Sequence, residues 1–390
     1  MKADGYLLTR ELLMRDLYRA YLDARKHKRG KPYQMDFEMH LEDNLSELCD
    51  ELWSRSYKPR PSKCFVISEP TLREVFAADF RDRIVHHLYY NYTCRLFDSG
   101  FITDSYSCRK GKGTLYGVKR LEKHIREESR GYTRPCWVLK MDISGYFMHI
   151  NREKLLSFVL SELRKAPRGG CPFDIDFVEY LTREIVLLDP TEECRVFGRR
   201  GDWSRLPKSK SLYHSPEGCG LPIGNLTSQV FSNVYMNVFD QWMKRSVGCR
   251  HYGRYVDDFY VVSSDKEFLR AVVDRASSFL WDELGLRVNP RKTVLYDVRQ
   301  GVPFLGCFLK PWRIYVERKT YARMRRHLLC EQENAGALRL RSVVNSYLGL
   351  LRHVNSYRVS QCFMRSLERI RTQGWITPFR RKWVKVSRSF

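Results

Sequence analysis

The sequence has no long apolar run and no paired cysteine motif. Its apolar segments are short and interrupted by charged residues, so none of them is expected to span a bilayer. The first twenty residues lack the uninterrupted apolar stretch and the small-residue cleavage site of a secretory signal. The 12 cysteines are scattered singly, without the CxxC spacing of a zinc site. We therefore expect a cytoplasmic chain with reduced thiols and no membrane contact.

Acidic residues are scarce relative to basic ones. The chain has 69 Lys and Arg against 45 Asp and Glu, which gives a formal net charge of +24 over 390 residues. A positive excess of this size attracts polyanions, because basic side chains release counterions from phosphates. The aromatic fraction of 13% supplies rings that can stack on bases. We therefore favour a nucleic-acid partner over a basic surface that has no specific ligand.

Hydrophobic periodicity predicts an α+β protein in which strands alternate with helices. The predicted helices cover residues 7–28, 36–56, 81–98, 114–129, a stretch from Asn151, 174–188, 224–244 and 265–284. The predicted strands cover 63–67, 74–78, 137–143, 286–288, 302–309 and 313–316, with a hairpin at 254–262. Residues 189–219 are polar and are predicted to form a loop or a small insertion. The chain after residue 317 is predicted to be purely helical.

Two predicted strands carry carboxylates among apolar residues. Asp257 and Asp258 interrupt the apolar run 255–262, and Asp142 ends the run that begins at Trp137. Adjacent carboxylates in a strand repel each other and lose hydration, and a bound cation would remove that cost. An exposed turn is the alternative for the pair alone. Two strands that each present carboxylate at one end can hold two divalent ions about 4 Å apart, an arrangement that suits in-line phosphoryl transfer.

The segments MDISGYF, which contains Asp142, and YVDD at 255–258 resemble two sequence blocks of reverse transcriptases. The remaining blocks of that family follow in the expected order, as VFAADFRDRIVHHL, DSYSCRKGKGT, LPIGNLTSQVFSN, LRVNPRKT and FLGCFLK. The resemblance covers roughly residues 10–360. It implies a right-hand polymerase architecture with fingers, a palm with an antiparallel sheet, and a helical thumb. The implied domains are 1–130 (N-terminal extension and fingers), 131–317 (palm, with fingers helices and an insertion near 165–219) and 318–390 (helical thumb and basic tail).

The resemblance also implies roles for single residues in an RNA-directed DNA polymerase. Asp142 and Asp257 match the two main ligands of two Mg²⁺ ions. Asp258 matches the adjacent carboxylate, and the main-chain carbonyl of Ile143 would complete the coordination of one ion. The substrates implied are a template RNA, the growing cDNA and dNTPs.

Three further matches concern the incoming nucleotide. Phe147 matches the aromatic residue that crowds the 2′ position of the sugar, with core packing as the alternative. Arg73 matches an arginine that reaches the triphosphate. Lys292 matches a catalytic lysine near the leaving pyrophosphate, where a cation or proton donor would help. The family's fingers lysine has no clear match, since residues 68–70 are Ser-Glu-Pro.

The block around residue 223 indicates a subgroup. Many family members have Gln-Gly where this chain has Ile223 and Gly224, and the combination with Ser228 and Gln229 resembles the reverse transcriptases of diversity-generating retroelements. That resemblance implies contacts of Ile223, Gly224 and Gln229 with the nucleotide, and frequent errors opposite template adenine in mutagenic retrohoming. It also implies a small basic accessory protein. Intron, retron and phage-defence reverse transcriptases are the alternatives within the family.

Two basic segments are predicted to contact nucleic acid. The first is the loop that contains Arg109, Lys110 and Lys112, and the second is the tail, with Arg380, Arg381 and Lys382 among aromatic residues. Two other function classes stay open at this stage. One is a non-catalytic RNA-binding protein on a polymerase scaffold. The other is a viral RNA polymerase, which usually has Gly-Asp-Asp and a polar residue at the position of Phe147.

Overall fold

The structure is a computed structural model that describes residues 8–26, 30–68, 71–166, 173–334, 337–361, 377–379 and 383–385. The helices are α1 Arg10–Arg25, α2 Pro32–Met39, α3 Leu41–Trp53, α4 Phe80–Gly100, α5 Thr114–Glu128, α6 Tyr146–His149, α7 Arg152–Arg164, α8 Ile175–Val186, α9 Arg200–Ser204, α10 Leu226–Arg245, α11 Lys266–Leu284, α12 Arg318–Asn334 and α13 Ala337–Leu351. The strands are β1 Ser62–Ile67, β2 Arg73–Ala77, β3 Trp137–Asp142, β4 Cys194–Val196, β5 His251–Tyr255, β6 Asp258–Ser263, β7 Val294–Asp297, β8 Val302–Phe304, β9 Cys307–Lys310, β10 Arg313–Val316, β11 Thr377–Phe379 and β12 Trp383–Lys385.

A four-stranded antiparallel sheet with the order β5-β6-β3-β7 forms the centre of the molecule. Successive side chains of a strand point to opposite faces, and both faces of this sheet are covered. Leu139 and Met141 of β3 pack into the main core with α4, α7, α10 and α11. Val138, together with Tyr260 of β6, packs into a second core that contains residues of α5, β8 and β9. Burial on both faces explains why these strands appear in the sequence as continuous apolar runs.

A smaller sheet has the order β2-β1-β4, in which β1 is antiparallel to β2 and parallel to β4. Glu74 of β2 is 1% exposed and accepts three hydrogen bonds from the segment after β4. The donors are the Trp203 indole at 2.9 Å, the Ser211 hydroxyl at 3.0 Å and the Leu212 amide at 2.7 Å. The predicted loop at 189–219 is therefore an ordered insertion that is attached to β2 through one buried carboxylate.

The structure corrects five of the predicted elements. The strand predicted at 302–309 is two antiparallel strands, β8 and β9, which are joined by a turn at 305–306. The helix predicted at 36–56 is two helices, which are separated at His40, where the backbone leaves the helical conformation. Residues 286–288 contribute only an isolated bridge of Val288 to Ile143, and the fourth strand of the central sheet is β7 instead. The insertion contains β4. The region after residue 317 is not purely helical, because β11 and β12 form an antiparallel pair.

In the part of the chain that the structure describes, no helix combines the length and the apolar character needed to cross a membrane.

Candidate active site

The three predicted carboxylates meet at one edge of the central sheet. Asp142 is the last residue of β3 and pairs directly with Asp258, the first residue of β6. Asp257 lies in the two-residue turn between β5 and β6, since Tyr255 pairs with Asp258 across that turn. The chain therefore brings residues that are more than a hundred positions apart in the sequence onto two neighbouring strand ends.

The turn that carries Asp257 is strained and is held by specific hydrogen bonds. Val256 has φ +59°, which is unfavourable for a β-branched side chain. Its carbonyl accepts a hydrogen bond of 2.9 Å from Arg254, and its amide donates one of 3.2 Å to the Ser107 hydroxyl. The Asp257 carbonyl accepts from the Ile143 amide at 3.2 Å. These bonds fix the turn against the end of β3, and they fix the position of the Asp257 carboxylate with it.

Arg254 is a positioning residue that the sequence analysis missed. It is fully buried and forms two hydrogen bonds with Asp240 of α10, at 2.8 and 2.7 Å. Tyr252 donates a third bond to Asp240 at 2.6 Å. A buried ion pair with good geometry fixes orientation because neither partner can turn away without leaving a buried charge unpaired. The signal in the sequence was an arginine within the apolar strand that leads to YVDD.

The pKa values of two of the three carboxylates, Asp257 and Asp258, are raised. Burial, followed by repulsion from Asp142, raises the pKa of Asp257 to about 6. Burial is also the main cause that raises the pKa of Asp258, and the charge of Lys140 opposes that rise. A group of buried carboxylates whose ionised forms are disfavoured is a site that gains from an added cation.

Two lysines lie against the carboxylates. The Lys292 ammonium donates a hydrogen bond of 2.8 Å to Asp142. Burial alone would lower the pKa of Lys292, but the hydrogen bond and charge of Asp142 raise it overall. Lys140 lies 3.5 Å from Asp258 and was not predicted. Its signal was the two-residue spacing from Asp142, which places both side chains on one face of β3.

The donor set fits divalent ions in its chemistry, because hard cations such as Mg²⁺ bind carboxylate and carbonyl oxygens. Among the described residues, no three His, Cys, Asp or Glu side chains stand in an arrangement that could already hold a metal ion. Asp142 and Asp258 face lysines instead, at 2.8 and 3.5 Å. The two ammonium groups therefore supply part of the positive charge that the carboxylates require.

Phe147 and Ile223 share one packing environment. Both pack against a cluster of buried residues that includes Phe76 and Met148. The Phe147 carbonyl accepts a hydrogen bond of 2.8 Å from the Leu221 amide, which ties the segment after β3 to the loop before α10. Both side chains are half-buried, so part of each remains accessible.

The remaining predicted nucleotide contacts surround this loop. Gly224 has φ +130°, and a Cβ there would stand 2.9 Å from the Phe76 carbonyl oxygen, so glycine is required for the close approach to β2. Gln229 is exposed on the first turns of α10. Arg73 is exposed at the start of β2, where its guanidinium donates to the Thr71 hydroxyl at 3.0 Å. The charge of Arg73 counters the rise in the pKa of Tyr255, which burial causes first of all.

The two basic segments differ in what the structure shows of them. The Arg109 side chain is 7% exposed and bonds to Asp98 and to the Ile102 carbonyl at 2.6 Å, so its guanidinium holds the loop together. Lys112 donates to the Thr103 carbonyl at 2.7 Å, while Lys110 is exposed. Contact of this loop with nucleic acid stays a prediction. Arg380, Arg381 and Lys382 lie outside the described residues.

Comparison with known proteins defines the class. Residues 73–309 match the family model described as reverse transcriptase (RNA-dependent DNA polymerase). The chain is 26% identical to Protein YkfC of Escherichia coli over 75% of this chain and 76% of that protein. It is 22% identical to the Putative COX1/OXI3 intron 1 protein of Saccharomyces cerevisiae over 54% of this chain and 21% of that protein.

The fold is similar to that of a solved apo telomerase from Candida tropicalis. The TM-score is 0.50 at 11% identity, over 80% of this chain and 58% of the telomerase chain. The chain therefore spans little more than half the length of that telomerase. Since the family model covers more than half of the present sequence, this chain belongs to the reverse transcriptase family.

Proposed function

We propose that this protein is an RNA-directed DNA polymerase that copies a template RNA into cDNA from dNTPs. The observation that carries the proposal is the meeting of Asp142, Asp257 and Asp258 on two adjoining strand ends, where burial and mutual repulsion raise the pKa of Asp257 to about 6. Membership in the reverse transcriptase family supports the same activity.

The three carboxylates and the Ile143 carbonyl are the proposed ligands of two Mg²⁺ ions. When bound there, the ions would lower the pKa of an attacking 3′-hydroxyl and offset negative charge on the reacting phosphate. The strained turn at Val256 and the buried Arg254–Asp240 pair would keep the Asp257 carboxylate in a fixed position for metal binding. Lys292 stands 2.8 Å from Asp142 and is proposed to stabilise or protonate the leaving pyrophosphate.

The half-buried ring of Phe147 is proposed to exclude ribonucleotides by its bulk. Arg73 is proposed to bind the triphosphate from the side of β2, because its guanidinium is exposed at the start of that strand. Ile223, Gly224 and Gln229 are proposed to contact the base pair that forms between the template and the incoming nucleotide. Since Ile223 offers no hydrogen bond, we propose that the enzyme is error-prone at template adenines and serves a diversity-generating retroelement with a small basic accessory protein.

The proposed domains follow from the position of the carboxylates. The central sheet with its covering helices corresponds to a palm within residues 131–317. The elements of 1–130, with the insertion attached to β2, correspond to the fingers. The helices α12 and α13 pack on each other through Met324, Leu328 and Val344 and are proposed to begin a thumb.

The test is cDNA synthesis by an Asp257→Asn variant, which keeps the size of the side chain and removes its charge. We expect the rate on an RNA template with Mg²⁺ to fall below about a hundredth of the wild-type rate, while RNA affinity changes little. Asp274→Asn, an exposed position on α11, is the matched control and should retain full activity. Activity above that limit in Asp257→Asn would contradict the two-metal assignment, and absence of cDNA synthesis by the wild type would favour a non-catalytic RNA-binding protein.

A further inference from the structure

Two aromatic residues that are far apart in the sequence are in contact at the surface. The rings of Tyr132 and Trp312 lie 4.8 Å apart between centroids in an edge-to-face arrangement. Trp312 is 66% exposed, although an indole is among the side chains that gain most from burial. Tyr132 is half-buried, and its hydroxyl donates to Glu122 at 3.3 Å. The Trp312 indole is therefore exposed to solvent, and it packs on a tyrosine that is fixed by its own hydrogen bond to Glu122.

The backbone at both positions is in the left-handed region. Tyr132 has φ +67° and Trp312 has φ +63°, a conformation that bulky L-residues rarely adopt. Trp312 lies in the tight turn between β9 and β10, whose pairing fixes Lys310 opposite Arg313. Tyr132 is anchored by a hydrogen bond of 2.9 Å from its amide to the Ser129 hydroxyl. Strained conformations of this kind persist where the surrounding structure enforces them, and they are frequent at binding sites.

Positive charge surrounds the pair. Lys310 and Arg313 flank the turn of Trp312, and Arg130 and Arg134 flank Tyr132, all with exposed side chains. Within the described part of the chain, none of these four cations forms an ion pair with a carboxylate. Glu122 is the acidic group in contact with the pair, and it faces the Tyr132 hydroxyl. An exposed ring bordered by unpaired cations is the arrangement that binds single-stranded nucleic acid.

This surface is separate from the carboxylate site. Tyr132 precedes Trp137, which begins β3, whereas Asp142 ends that strand. Six residues of extended strand span roughly 17 to 20 Å. The aromatic pair and the carboxylates therefore belong to opposite ends of the same strand.

We propose that the Tyr132–Trp312 surface binds unpaired nucleotides of an RNA strand outside the catalytic site. One base stacks on the exposed indole, and the flanking cations contact the neighbouring phosphates. Unpaired RNA fits better than a duplex, because a base inside a helix has no free face for the indole. A polyanion fits better than a protein partner, because four exposed cations border the ring. That the nucleic acid is RNA rests on the proposed function, whereas the stacking surface does not.

The experiment measures the affinity of the full chain for a 20-nucleotide polyuridylate and for an RNA duplex of the same length, without dNTPs. We expect Trp312→Ala to weaken polyuridylate binding about 5-fold or more, and Trp312→Phe to retain most of it. Trp281→Ala is the control, because Trp281 is 49% exposed but the Arg287 guanidinium already lies over its ring, 4.4 Å from the centroid. Replacing Lys310 and Arg313 together by Ala should reduce the salt dependence of binding, by about 1.4 in the slope of log K against log salt.

Extension of a short primer already paired to an RNA template should stay unchanged in Trp312→Ala, because the carboxylates are at the other end of β3. Equal polyuridylate affinity in Trp312→Ala and wild type would overturn the proposal and leave the surface to a protein partner. An equal loss for single-stranded and duplex RNA would also overturn it, as would a parallel loss of primer extension. If Trp312→Ala loses polyuridylate affinity, Trp281→Ala keeps it, and the wild type makes no cDNA, the proposed RNA-binding surface is supported and the polymerase assignment is contradicted.

Discussion

The carbonyl oxygen of Ile223 accepts a hydrogen bond of 2.9 Å from the amide of Phe76. This bond joins the loop before α10 to β2, and the close approach of Gly224 to the same strand reinforces it. The backbone at position 223 is thus fixed independently of the side chain. A substitution at Ile223 therefore changes the chemistry of the surface beside Phe147 without changing the path of the loop.

Ile223→Gln tests the proposed origin of infidelity. A side chain that hydrogen-bonds only a correctly placed nucleotide adds discrimination of about 1–3 kcal/mol, or about 5- to 150-fold. We expect errors opposite template adenine to fall more than errors opposite the other bases. Sequencing of cDNA made on one template by wild type, Ile223→Gln and the apolar control Ile223→Val would measure this. Identical error spectra for all three would place the infidelity in other residues or in a partner.

Phe147 tests sugar selection. Its ring packs edge-to-face on Tyr146 at 5.2 Å and stays half-buried, so truncation should open space at the accessible edge. We expect Phe147→Val to raise the ratio of ribonucleotide to deoxyribonucleotide incorporation at least tenfold, while Phe147→Tyr keeps the wild-type ratio. Single-nucleotide incorporation with matched substrates gives the ratio. If Phe147→Val lowers stability but leaves the ratio as in wild type, the residue is part of the core only.

Gly224→Ala tests the requirement for close approach. The added methyl would stand 2.9 Å from both the Phe76 oxygen and a methyl of Val75, at a φ of +130°. Strain of this kind costs about 1–3 kcal/mol, so the midpoint of thermal unfolding and the polymerase rate should both fall. Gly349→Ala in α13 is the control, because a Cβ there meets no atom within 4 Å. That variant should be neutral or slightly stabilised.

His86 makes stability depend on pH. Burial lowers the pKa of His86 to about 3, and its Nδ1 lies 2.8 Å from the Thr227 hydroxyl. The unfolded chain takes up the proton near pH 6.5, so the stabilisation is present above that pH and is lost as the pH falls towards 3. Between pH 7 and 5 the loss amounts to about 2 kcal/mol.

The measurement is denaturant unfolding of wild type and His86→Gln at pH 7 and pH 5. The variant cannot take up the proton, so its stability should change less between the two values. Burial raises the pKa of Asp82 to about 6, which acts in the opposite direction over pH 4–6 but equally in both proteins. His214→Gln, at an exposed position, should behave as the wild type does. Equal pH dependence in His86→Gln and wild type would contradict the assignment.

Much of the central sheet could be predicted because local signals and tertiary packing agree there. The start of a helix at Asn151 was predicted from the sequence, and the Asn151 side chain caps α7 by accepting a hydrogen bond of 2.8 Å from the Lys154 amide. The carboxylates of β3 and β6 were visible because apolar strands make an acid conspicuous. Their pairing could not be derived from either strand alone, since register depends on contacts between distant segments.

The elements that were missed depend on such distant contacts. The strand β4 has three residues with partly or fully exposed side chains and gains its pairing only by meeting β1. No Gly or Pro marks the break at His40, so the apolar pattern of 36–56 is continuous through it. Lys140 and Arg254 were overlooked because a basic residue in a strand carries no indication of the carboxylate that it will face.

The three hydrogen bonds accepted by Glu74 have a consequence for variation among related proteins. A shortened relative without the segment from Trp203 to Leu212 would keep a buried carboxylate with none of these donors, which is costly. Loss of the insertion should therefore be tolerated in evolution only together with a change at position 74. Because Glu74 shares a short strand with Phe76, whose amide donates to the Ile223 carbonyl, we expect length changes in the insertion and sequence changes around Ile223 to occur together in related proteins.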